Sequence, residues 1–221
     1  MSNHQLLDEK LPNYTSTPLS SSLLGLAWLG LGSWLLYLGW DAYQIALDGS
    51  LGLFKFIYYS YGDAYHWVVQ GPLTLLIGLL YVNHNKQAIH FAFGALVAGT
   101  TFHFIDLLQI TVFSYSILTF EHAIAGLLIF IGWQRFDSTL IQKMRANRFL
   151  LLTVIVLIMI SELAPHQDLV LLRAIGILFF WRFLWKISPF SLSRLVQEKR
   201  WYYCLFPFIG TLPFLLMRFF P

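Results

Sequence analysis

The chain has 221 residues, of which 57% are hydrophobic and 11% charged. An ordinary soluble domain carries about 25% charged residues, so that class is excluded. The net charge of +3 and pI near 9.0 would suggest nucleic acid as the partner of a soluble protein. Here membrane topology accounts for the basic residues, and no nucleic-acid partner is expected.

Apolar runs near 20 residues recur along the chain, each long enough to cross a bilayer. In lipid, a segment must satisfy its own backbone polar groups, so these runs should be helices. The expected fold class is all-α: a polytopic integral membrane bundle of about seven transmembrane helices. Residues 1–21 read as a polar cytoplasmic tail, "MSNHQLLDEKLPNYTSTPLS" and the residue after it. Without a basic start and an early apolar core, this segment does not resemble a signal peptide. Residues 22–221 read as one transmembrane domain.

Span one is expected at about Ser22 to Trp40, where Gly25, Gly30 and Gly32 read as packing positions. The segment 48–65, "DGSLGLFKFIYYSYGDAY", is aromatic and too poor in apolar residues to cross. It reads as interfacial or re-entrant. Span two follows over Ala64–Val82, span three over Ala88–Val112 and span four over Tyr115–Trp133. Spans five, six and seven cover Arg148–Leu163, Leu169–Ile187 and Tyr202–Phe220.

Orientation follows from Lys and Arg. With the N-terminus inside, eleven of the fourteen fall on the inner side, and only Lys55, Arg173 and Arg218 fall outside. That is a strong positive-inside bias. It makes this a multi-pass protein of a bacterial inner membrane or its equivalent, with the C-terminus outside. Aromatic residues agree as interface anchors: Trp40, Tyr43, Tyr65 and Trp67 outside, and Trp133, Trp181, Trp185, Trp201 and Tyr202 inside.

Sorted by the same topology, most acids and histidines fall on the outer half. His103 lies about ten residues before the turn at 113–116, and His122 about seven after it. At 1.5 Å per residue both sit roughly 10–15 Å below the outer helix ends. His103 and Asp106 are three apart and share a helix face with Ala92, Ala95 and Gly99. Small residues let helices approach closely, so that face is expected to point into the bundle. Ala125 and Gly126 suggest the same for His122. His66 opens span two, and "SELAPHQD" closes span five with Glu162 and His166. His84 and His90 lie near the inner loop and are expected to be no part of this cluster.

Imidazoles and carboxylates are ligands for zinc, iron and manganese. The candidate metal ligands are His66, His103, Asp106, His122 and His166, with Glu121 and Glu162 as candidate catalytic carboxylates. A divalent metal there could activate water or dioxygen for a lipidic or periplasmic substrate. Three classes of function fit. The first is a membrane-embedded metalloenzyme, a hydrolase or oxidoreductase. The second is a haem b electron-transfer subunit with two axial histidines. The third is a small transporter or an assembly subunit, in which His103 and Asp106 relay protons or make an interhelical structural bond. Seven helices with a one-sided His and Asp cluster resemble the membrane zinc hydrolases of the progestin-receptor-like and alkaline ceramidase group. Those carry an HxxxH pair in the last helix, and span seven, "YYCLFPFIGTLPFLLMRFF", has no histidine. The family is therefore not assigned.

Overall fold

The computed structural model describes residues 18–48, 64–85, 87–108, 118–134, 139–163, 170–188 and 201–219. It is all-α: eight α-helices and no strand among the described residues. They are α1 (Pro18–Asp48), α2 (Gly71–Val82), α3 (Ala88–Leu108), α4 (Leu118–Gln134), α5 (Leu140–Ala146), α6 (Arg148–Leu163), α7 (Val170–Ile187) and α8 (Trp201–Phe219). A π-helical segment, His66–Gln70, runs directly into α2. The expected tail and most of the 48–65 segment lie outside the described residues. One helix, α1 over Ser20–Ile45, is long and apolar enough by length and composition to cross a membrane. Shorter apolar helices include His66–Val82 and Ala88–Phe102.

The most extensive helix pair is α1 with α2, antiparallel and in backbone contact. Gly25, Gly32 and Gly39 recur every seven residues on α1, and Gly71 and Gly78 repeat that spacing across from them. A methyl group built on Gly25 would lie 2.8 Å from the Gly78 carbonyl oxygen. One on Gly78 would lie 2.9 Å from the Gly25 carbonyl oxygen, and one on Gly32 2.8 Å from the Leu75 nitrogen. A methyl on Gly39 would collide with Trp67. Gly30 faces open space, so it is not a packing position, unlike Gly25 and Gly32. Beside the glycines, Leu24, Trp28, Leu31 and Leu35 bury one stripe of α1, at the alternating spacing of a helix–helix seam.

A tight turn returns the chain into α3. The Asn85 N–H donates to the Leu80 carbonyl at 2.8 Å and the His84 N–H to the Tyr81 carbonyl at 3.0 Å. Together these bonds close a Schellman cap. His84 takes the left-handed position, with φ 54°, a place that favours glycine. Asn85 then accepts the Gln87 N–H on its side-chain oxygen at 2.8 Å.

Helix α3 is the centre of the bundle. It packs on α2, α4, α7 and α8, and its closest approach is at Gly94, where any side chain would strike the backbone of Cys204 on α8. Trp181 of α7 donates its indole N–H to Thr100 Oγ1 at 2.9 Å, and Thr100 donates to the Leu96 carbonyl at 2.9 Å. Trp181 is therefore a packing residue and no interface anchor. Trp133 is fully buried and packs on Phe93, which corrects its placement as an anchor too. Exposed Trp40, Trp185, Trp201 and Tyr202 keep the anchor reading. The short helix α5 falls between the expected spans four and five and is anchored by buried Leu140.

The glycine contacts yield a paired test. Gly78→Ala should lower the thermal unfolding midpoint in detergent, since neither neighbouring backbone can retreat cheaply; overpacking of this kind costs about 1–3 kcal/mol. Gly30→Ala should leave the midpoint unchanged or slightly raised. Equal effects at both positions would show that the α1–α2 approach is looser than described. At the turn, His84→Gly should raise the midpoint, because a left-handed non-glycine residue costs roughly 1–2 kcal/mol. His84→Val, measured the same way, should lower it.

Candidate functional site

The outer end of α2 begins with a change of helix type, and proline explains it. Pro72 has no N–H to give the Val68 carbonyl, and its ring crowds that oxygen. The Gly71 N–H bonds the His66 carbonyl instead, one residue wider than an α-helical bond. Thr74 Oγ1 donates to the Gln70 carbonyl at 2.7 Å, at the end of the π segment. The extra residue turns Tyr65 and His66 into the bundle, where both are buried. Tyr65 is thus a packing residue and not an interface anchor, and His66 is packed among the helices beside it.

Tyr65 ties three elements together. Its ring lies flat on Phe102 of α3, with centroids 3.8 Å apart and planes 10° from parallel. Phe214 of α8 meets it edge-on at 5.6 Å. The Tyr65 hydroxyl is 3.1 Å from Thr211 Oγ1. Thr211 gives its own hydrogen to the Pro207 carbonyl at 3.0 Å. A hydroxyl has one hydrogen, so Tyr65 is the donor to Thr211. Tyr65 precedes His66, and Phe102 precedes His103. The stack therefore joins the residue before His66 to the residue before His103 through their rings.

His103 and Asp106 stand three apart in the last two turns of α3, and Glu121 and His122 stand in the first turn of α4. These two helices pack against each other. On α3, Ala92 and Gly99 are buried and Ala95 half-buried, as a face turned into the bundle requires. Ala125 and Gly126 on the His122 side of α4 are buried as well. Glu162 stands in the last turn of α6, whose principal neighbour is α7. It is therefore one helix removed from α3. His166 lies outside the described residues.

Of the seven candidates, only His66 has a described side chain. Among the described side chains, no group of three or more His, Cys, Asp or Glu could hold a metal ion. At the other end of α3, His90 is buried in the first turn and His84 is exposed in the turn before it.

No family model, curated protein or solved structure matches the chain. The assignment therefore rests on chemistry and geometry alone. The residue that sequence reasoning misplaced is Tyr65, read as a belt residue. The available signal was Gly71-Pro72 with Thr74 two residues on, since a proline inside an apolar span must break the ladder somewhere before it.

A pair of substitutions checks this arrangement. Tyr65→Phe keeps the stack and loses the Thr211 hydrogen bond, so its thermal midpoint should fall by the equivalent of about 0.5–1.5 kcal/mol. Tyr65→Ala removes the ring and should cost about 3–5 kcal/mol, as buried aromatic truncations do. A Tyr65→Ala protein as stable as Tyr65→Phe would show that the ring is not the tie between α2, α3 and α8.

Proposed function

We propose that the chain is a multi-pass membrane protein of seven spans, N-terminus inside and C-terminus outside, with a divalent-metal centre near its outer face. The observation that supports the membrane reading is the exposed apolar surface. Phe149 is 73% exposed, Leu171 70% and Ile209 67%, and the same outward faces carry Leu152, Met159 and Leu212. Water-soluble proteins rarely leave so continuous an apolar surface uncovered. The described part of α6 between Phe149 and Ser161 contains no charged residue on any side, as a lipid-facing helix would. The seven spans would be α1, the π segment with α2, α3, α4, α6, α7 and α8. Apart from α1 they run from 16 to 21 residues, against the roughly 17–25 that a crossing needs.

The metal reading draws support from the position of α3. Ionisable residues on a helix enclosed by four others are costly in a membrane and mark functional sites by default. His103 and His122 would be the principal ligands, with Asp106 as a third ligand or as the group that orients His103. His66, next to the Tyr65 ring that stacks on Phe102, and His166 would complete the set. A bound metal would supply Lewis acidity and an activated water or dioxygen. Glu121 and Glu162 would exchange protons with a lipidic or periplasmic substrate entering from the outer leaflet.

The test is metal analysis and an absorption spectrum of the detergent-purified protein. Near-stoichiometric zinc, iron or manganese is expected. Loss of that metal is expected in His103→Ala and in His122→Ala, with the double variant no worse than either alone. Both variants should still insert, because insertion depends on the apolar spans. A Soret band would replace the metal by haem b. Full metal retention in both single variants would sink the site and leave the proton-relay or structural reading.

A further inference from the structure

We propose that the inner end of α5, α6 and α7 is a binding site for the phosphate group of an anionic phospholipid. The proposal rests on the membrane reading above. The α6–α7 pair is an antiparallel hairpin, so Arg148, the first residue of α6, stands level with Ile187, the last of α7. A single residue, Asn147, separates α5 from α6, and Leu140 buries α5 in the same core cluster as Leu184 and Ile187. That packing gathers Arg145, Arg148, Arg182 and Lys186 at one end, all exposed, with Lys143 half-buried beside them. Neither the described residues 139–161 nor 170–188 contain an Asp or Glu. Asp137 precedes α5 outside the described residues. Arg145, Arg148, Arg182 and Lys186 therefore have no Asp or Glu within those stretches, and Glu162 stands at the far end of α6.

The apolar surroundings decide which anion fits. Arg182, Trp185 and Lys186 share one face of α7 at spacings of three and four, and Trp185 is 68% exposed on it. Leu178 continues that face one turn toward the middle of the helix, also exposed. On α6, the Arg148 guanidinium sits 5.1 Å from the centre of the Phe149 ring, and exposed Leu152 follows a turn later. A row of cations that passes directly into exposed aromatic and aliphatic side chains matches an amphiphile, phosphate first and acyl chains after. A free phosphate would use only the first part. Basic groups at the inner ends of membrane helices bind anionic headgroups in this manner.

The experiment uses the full chain in nanodiscs of phosphatidylcholine, into which phosphatidylglycerol with brominated acyl chains is titrated. The readout is quenching of the Trp185 fluorescence, taken as the difference between the protein and Trp185→Phe. Brominated phosphatidylglycerol should quench at a several-fold lower mole fraction than brominated phosphatidylcholine. Each of Arg182→Gln and Lys186→Gln should weaken that preference by about five-fold, the equivalent of one lost cation near a charged surface. High salt should weaken it in the unaltered protein too. Equal quenching by the two lipids would overturn the proposal. So would competition by millimolar inorganic phosphate, which would mark a free-anion site. Extraction by alkaline carbonate separates the two levels. A chain that stays in the bilayer without a lipid preference refutes the headgroup site alone. A chain released by carbonate refutes the membrane reading and the site with it.

Discussion

The contact on which the rest depends is the backbone approach of α1 to α2 through Gly25, Gly32, Gly39, Gly71 and Gly78. Under the membrane reading proposed above there is little hydrophobic drive between helices, and close packing supplies the attraction. Glycine lets the two backbones come within van der Waals reach over several turns, and dispersion adds up along the contact. The consequences run in both directions along α2. At its C-terminal end, the fixed position of Val82 sets the Schellman turn and so the start of α3. Ahead of its N-terminal end, Gly39 holds Trp67 against α1, which fixes the π segment on α1.

The π segment sets which way the residues ahead of it face. One residue inserted into a helical turn shifts the phase of everything before it by about 100°. In an uninterrupted α-helix, Tyr65 and His66 would sit about a quarter-turn away from their observed positions. Pro72 removes one N–H from the ladder, and the wider bond from the Gly71 N–H to the His66 carbonyl takes up the break. The Tyr65 ring then fills the space between Phe102 and Phe214. Thus the π segment places the His66 side chain among the helices and not at their surface.

The elements were legible because apolar runs in this chain allow only one way to satisfy the backbone. The start of α6 at Arg148 and its end at Leu163 agree with the sequence reading, and the ends of α4, α7 and α8 differ by one to three residues. What escaped was local and depended on neighbours. Helix α1 runs eight residues past Trp40 to Asp48, since nothing between them is a strong breaker. Helix α5 is too short to show a period of its own and is held by Leu140. Tyr65, Trp133 and Trp181 were read as belt residues because aromatic rings near span ends look alike in sequence. Their burial is decided by which helix packs over them, and composition carries no information on that. The small-residue face of α3 was legible for the opposite reason: Ala92, Ala95 and Gly99 have few uses other than close helix contact.

The two ends of the bundle divide the polar chemistry between them. Arg145, Arg148, Arg182 and Lys186 occupy one end on long flexible side chains at exposed positions, where a charge can remain solvated while its stem lies on apolar surface. His103 and Asp106 lie on α3, and Glu121 and His122 on α4, two helices that pack against each other. A helix enclosed by neighbours offers a charge no such freedom, and an ionised carboxylate on it is neutralised by protonation, by a hydrogen-bonded partner or by a cation. A long side chain at an open edge tolerates almost any environment, so the basic end constrains the fold very little. A helix packed on four others, as α3 is, tolerates few ionisable residues, which is the physical reason to test that end first.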